Sequence, residues 1–131
     1  MTKSQEYDDI PGTIVFDADR SRQGYHLNMF CISLRLQKNR DAFRDDPDAY
    51  LDTFPMTAPQ RQAVLDQEWN LLLELGGNIY YTSKLAAFHG INFQELAGIM
   101  TGMGSTDYRA MMMAGGRPIE GNRNKKEWED K

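Results

Sequence analysis

The sequence predicts an all-α protein, a compact array of about six to eight short helices with little or no sheet. Three observations carry this. Helix N-terminal signatures recur at Asp46-Pro47, at Thr57 with Gln60, and at Asn92 with Glu95. The apolar residues behind them repeat at helical spacing rather than in alternation. Glycines close most of the periodic stretches, at Gly24, Gly76-Gly77, Gly90, Gly102 and Gly115-Gly116.

In chain order, residues 1–16 read as an extended lead-in with a bend at Pro11-Gly12. Thr13-Ile14-Val15-Phe16 has strand composition but nothing to pair with. Asp17 caps a helix through Gln23, which Gly24 ends. From Tyr25 to about Lys38, Leu27, Phe30, Cys31 and Leu34 share a helical face, and Arg35, Lys38 and Arg40 place positive charge near its C-terminal end. Asp46-Pro47 opens a short helix bearing Tyr50 and Leu51. Thr57 opens one carrying Leu65, Trp69 and Leu72 on one face and running to Gly76-Gly77. Asn78 caps the next, with Tyr81, Leu85 and Phe88 in register. Asn92 caps a helix bearing Leu96 and Met100, and Ser105 caps the last, with Tyr108, Met111 and Met112 on one face. The expected organisation is one helical domain over 1–116 and a polar tail over 117–131.

Composition narrows the function. A formal net charge of −4 and a pI near 5.1 leave no basic stripe for nucleic acid. No segment approaches the roughly 20 apolar residues of a membrane span, and the N-terminus lacks the apolar run of a secretory signal, so a cytoplasmic setting with no membrane partner is expected. Cys31 is the single cysteine, so neither an internal disulfide nor a thiolate cluster can form.

The residues that carry chemistry are few. His26 and His89 are the two histidines, and a mononuclear iron site built from two histidines and a carboxylate would need both. His89 adjoins a helix end, where an imidazole suits the dipole. Cys31 falls on an apolar face, as a buried thiol rather than a nucleophile. The glycines of Gly98–Gly104 lack the Lys-Ser/Thr of a phosphate loop and suit a tight helix connection. No catalytic residue and no metal ligand set is therefore expected in this chain. Met111 and Met112 read as core, whereas Met103, Met113 and Trp128 are candidate partner contacts, since three consecutive methionines cannot all face one core. A helical adaptor without catalysis is one function these features allow.

A set of ordered motifs goes further: Asp9-Ile10-Pro11-Gly12-Thr13, Ser21-Arg22-Gln23-Gly24-Tyr25-His26-Leu27-Asn28-Met29-Phe30, Asn39-Arg40-Asp41-Ala42-Phe43 and Ala49-Tyr50-Leu51, Gly76-Gly77-Asn78-Ile79-Tyr80, Phe93-Gln94, Met100-Thr101-Gly102-Met103, and Tyr108-Arg109-Ala110-Met111-Met112 with Ala114-Gly115-Gly116-Arg117. Over residues 8 to about 123 the chain resembles the small (α) subunit of protocatechuate 4,5-dioxygenase. The resemblance implies a two-chain extradiol dioxygenase, expected as α2β2. In that family the catalytic β subunit holds Fe(II) through two histidines and a glutamate, and an aromatic diol and O2 meet at the β subunit's site. The α chain packs on β and covers the mouth of its pocket. Phe93 matches a family aromatic at that mouth, so His89, Ile91, Asn92 and Phe93 are the expected entrance lining. The family commonly has Asp-Gly-Lys-Ser before this phenylalanine. Here Ile91 stands at the lysine position, which opens gallate or a methylated gallate as substrates beside protocatechuate.

Overall fold

The computed structural model describes Tyr7 and residues 13–116. Among these residues there is no strand, and nine helices follow one another: α1 Ala18–Gln23, α2 Tyr25–Ser33, α3 Gln37–Asp45, α4 Pro47–Leu51, α5 Ala58–Asp66, α6 Trp69–Glu74, α7 Ile79–Phe88, α8 Phe93–Thr101 and α9 Ser105–Met113. Residues 13–16 belong to no helix or strand. None of the described helices is long and apolar enough to cross a membrane. The lead-in bend at Pro11-Gly12, the tail 117–131 and Trp128 lie outside the described residues.

The N-terminal caps read from sequence are made at Asp17, Asp46, Thr57, Asn78 and Asn92. Asp17 accepts from the Arg20 amide at 2.9 Å, and Asp46 from the Ala49 amide at 3.2 Å. Thr57 with Gln60 and Asn92 with Glu95 form full capping boxes, each side chain satisfying the other's backbone N–H. Asp17 also accepts from the Tyr7 hydroxyl, and that bond, followed by the Arg20 amide, holds its carboxyl below the usual range.

The count exceeds six to eight because two expected helices are each divided. Tyr25 to Lys38 breaks after Ser33. Side chains from α3 fold back onto the exposed carbonyls of α2: Asn39 Nδ2 donates to Ser33 O at 2.8 Å, and Arg40 Nη1 to Leu34 O at 2.8 Å and Arg35 O at 3.0 Å. Arg40 thus stabilises the negative end of α2, but from the first turn of the next helix. The second break is at Gln67, the one described non-glycine residue with positive φ, at 56°. Gln67 N donates to Val64 O and Glu68 N to Ala63 O, a Schellman end without its usual glycine. Leu65 consequently leaves the face of Trp69 and Leu72: it is 41% exposed, while Trp69 and Leu72 are buried.

The same paired bonds end four more helices, around Gly76, Gly90, Gly102 and Gly115, all at positive φ. At the last helix two expectations change. Gly104, not Ser105, occupies the N-cap, and no side chain caps α9. Met112 is 52% exposed, because α9 turns Tyr108 and Met111 inward and leaves Met112 on its outer side.

The core is built from α2, α3 and α4 with α5–α8: Leu27, Phe30, Leu51, Leu72, Leu85 and Leu96 are essentially inaccessible. Phe30 meets Phe43 edge-on at 5.1 Å and Phe54 at 5.6 Å, the arrangement favoured by the ring quadrupoles. Two buried amides tie distant turns into this core. Asn28 Nδ2 donates to Gly76 O at 3.0 Å while its Oδ1 accepts from Asn78 N at 2.9 Å. Gln60 Nε2 donates to Gln23 O at 3.0 Å and Leu75 O at 2.9 Å. Together they fix the α6–α7 turn, and hence the direction of α7 toward the turn at its far end.

Candidate functional site

The segment His89–Phe93 is shaped by two helix ends in immediate succession. The Schellman end of α7 places Gly90 at φ 78° and brings the Ile91 amide to Ala86 O at 2.9 Å. The residue after such a glycine ordinarily packs back on the helix it has left. Ile91 does so, half-buried against the core. Asn92 is then committed to its cap, with Oδ1 accepting from Glu95 N at 2.8 Å. Phe93, the first residue of α8, is left pointing outward and is 60% exposed.

His89 is the C-cap of α7. Its ring stands edge-on to Phe88 at 5.1 Å and to Trp69 at 6.3 Å. Partial loss of water around it lowers its pKa, so the neutral imidazole is favoured at pH 7 and no cationic contact with the helix end is needed to explain its place. The four expected entrance residues therefore differ in direction: Ile91 faces the core, Asn92 the backbone, His89 the aromatic edge of α6–α7, and Phe93 the outside.

Phe93 and Tyr108 both line each of two grooves. One, of about 790 Å³, runs between the lead-in and α6–α8, with Ile14, Leu73, Ile79 and Leu96 among its lining residues. The other, of about 500 Å³, lies between α8 and α9 and adds Gln94, Arg109, Met112 and Met113. The sequence marks Tyr108 only as a helix-face residue; nothing in its local pattern shows that it lines the same grooves as Phe93. Met113 is 80% exposed on this groove. Met103 is half-buried in the α8–α9 turn, its amide bonded to Gly98 O at 3.0 Å. That turn is tight because Gly98 is bare: a Cβ there would lie 2.6 Å from the Gly104 carbonyl carbon.

The reactive side chains stand apart from these grooves. Cys31 is fully buried, and desolvation pushes its thiol pKa up, away from the thiolate that chemistry would need. His26 is exposed and edge-on to Tyr25 at 5.1 Å. Among the described residues no three histidine, cysteine, aspartate or glutamate side chains are placed to hold a metal ion. What the site offers is an outward Phe93 and a half-buried Tyr108 with apolar grooves beside them, suited to covering or contacting another surface.

Comparison with known proteins gives a consistent picture. The family model described as "Aromatic-ring-opening dioxygenase LigAB, LigA subunit" matches residues 27–113, from α2 to the end of α9. Gallate dioxygenase of Pseudomonas putida is 23% identical over 99 residues, 76% of this chain. The chain spans 29% of the length of that relative.

Proposed function

The chain belongs to the LigA-subunit family of the LigAB aromatic-ring-opening dioxygenases, and from that membership we propose that it is the non-catalytic subunit of an extradiol dioxygenase, packing on a catalytic subunit and covering its active-site mouth. The observation that carries the covering role is the Phe93 turn. The end of α7 packs Ile91 on the core, the start of α8 commits Asn92 to its cap, and Phe93 is left pointing outward. A fixed aromatic at a pocket mouth narrows access and keeps water from the reacting diol.

In this proposal the partner subunit holds Fe(II), through two histidines and a glutamate, and supplies the acid–base groups. The bound metal activates the diol and O2 toward cleavage of the ring. This chain contributes shape and the exclusion of water. The assembly is α2β2, and the setting cytoplasmic.

Protocatechuate cleaved at the 4,5 bond, or a closely related catechol, is the leading substrate. A gallate-type substrate is the second reading, favoured by two observations. A relative is a gallate dioxygenase, and Ile91, at the position where the resembling family carries lysine, packs against the core and offers no charge to a substrate carboxylate. Co-expression with a LigB-type catalytic chain tests the proposal. The expected result is a stable complex that consumes O2 and opens the ring of protocatechuate or gallate when supplied with Fe(II). A chain that stays unassociated beside such a partner would refute it and return the helical adaptor reading.

A further inference from the structure

Phe93 is the first residue of α8, and its own packing does little to fix it there. The side chain is 60% exposed. Among the described residues its ring meets no other ring. The direction of such a side chain follows from the backbone of the turn that carries it.

Asn92 ties that turn together. Its Oδ1 accepts from Glu95 N at 2.8 Å, its N–H donates to Glu95 Oε1 at 3.4 Å, and its carbonyl accepts from Leu96 N at 2.9 Å. The residues on either side are fixed to the core: Ile91 packs against it and Leu96 is buried. Phe93 stands between these two anchors, and Asn92 is the link from one to the other. The first N–H groups of a helix have no partner within the helix, so an uncapped first turn frays. Replacing an asparagine cap by alanine lowers the ratio of formed to frayed first turn by roughly 2- to 30-fold. In α8 that fraying falls on Phe93 itself, while Leu96 keeps the rest of the helix on the core.

Resting on the subunit reading above, we propose that Asn92 is a positioning residue for substrate selection: its cap keeps the first turn of α8 formed, and the formed turn sets where Phe93 stands at the mouth of the catalytic subunit's pocket. Asn92 acts through Phe93 and not by touching the diol. The requirement at position 92 is a short side chain with an acceptor oxygen, which serine also meets. When the turn frays, Phe93 takes several positions, and an entrance that sorts ring substituents by shape sorts them less well.

The test is a double-variant cycle on kcat/KM for protocatechuate and gallate, with the full-length chain assembled on its catalytic subunit. Asn92→Ala is expected to shift the protocatechuate-to-gallate ratio by about 2-fold or more, in the direction in which Phe93→Ala shifts it. Asn92→Ser keeps the wild-type ratio, and Asn92→Ala added to Phe93→Ala changes nothing further. Thr57→Ala removes the same kind of cap from α5 and serves as the control, with the ratio unchanged. In the isolated full-length chain, hydrogen exchange at the Leu96 amide quickens by roughly 2- to 30-fold in Asn92→Ala and not in Asn92→Ser.

A wild-type ratio in Asn92→Ala beside a shifted one in Phe93→Ala overturns the assignment and leaves the covering role intact. An equal shift in the Phe93→Ala background also overturns it, by making Asn92 a contact in its own right. So does an Asn92→Ser variant that behaves as the alanine one, or unchanged exchange at Leu96. An assembled complex in which Phe93→Ala itself leaves the ratio unchanged removes instead the covering role on which the assignment rests.

Discussion

Gly24 and Gly76 meet backbone to backbone. A Cβ on Gly24 would overlap the Gly76 carbonyl, and one on Gly76 would lie 2.5 Å from the Gly24 nitrogen. This contact joins the α1–α2 turn to the α6–α7 turn. Asn28 and Gln60 bond across the same junction, at Gly76 O, Asn78 N, Gln23 O and Leu75 O. The segment that presents Phe93 hangs from α7, so its position depends on this junction.

Gly24 has φ −98°, which alanine tolerates, so Gly24→Ala isolates the close approach from backbone strain. The variant is expected to lose stability at or above the upper end of the about 1–3 kcal/mol typical of overpacking. Urea denaturation measures it; an unchanged midpoint would show that the junction yields.

Asn28→Ala removes two hydrogen bonds and leaves Gly76 O and Asn78 N to find other partners in a buried site. A loss of about 2–3 kcal/mol is expected. Gln60→Ala should cost a similar amount, and the double variant should fall short of the sum, since both side chains brace one junction.

Much of this fold is legible in the sequence, because its helices begin and end by local rules. Asp17, Asp46, Thr57, Asn78 and Asn92 cap as their spacing implies. The break at Gln67 is not legible, since its left-handed turn lacks the glycine that marks the others. Nor is the break after Ser33, which depends on Asn39 and Arg40 reaching back to carbonyls several residues earlier. At the site, the sequence identifies Phe93, Asn92 and Ile91 as a turn but not their directions. Those follow from the Schellman end at Gly90, which draws Ile91 into the core. Tyr108 and Arg109 join Phe93 only through the packing of α9 on α8, a relationship that no local pattern carries.

Cys31 gives a pH dependence with a definite sign. Burial raises its pKa in the folded chain, so the folded state favours the neutral thiol. The associated stability is complete below the unfolded thiol value of about 8.5 and declines as pH rises above it, by up to about 1.4 kcal/mol per unit. Denaturation series from pH 7 to 10, compared with Cys31→Ala, isolate this contribution. In the folded protein the thiol should resist alkylation at pH 8, and rapid labelling would contradict its burial.

His89 should titrate below the ordinary imidazole value of about 6.5, because partial desolvation disfavours its charged form. Its contribution to stability is present above that value and falls away as pH drops through the folded pKa. Ring-proton NMR gives the midpoint directly. A midpoint above 6.5 would show instead that the α7 C-terminus stabilises the imidazolium.

The outward aromatic at the start of α8 is the part of this chain expected to cover the active-site mouth. Phe93 is 60% exposed in this chain, so Phe93→Ala should change the stability of the isolated subunit by less than about 0.5 kcal/mol. Steady-state kinetics of the complex reconstituted with Phe93→Ala, across protocatechuate, gallate and catechol, test the claim most directly. A changed order of kcat/KM among the three substrates is expected, with the complex still assembled. An intact complex with wild-type kcat/KM for all three would contradict the claim that this turn covers the active-site mouth.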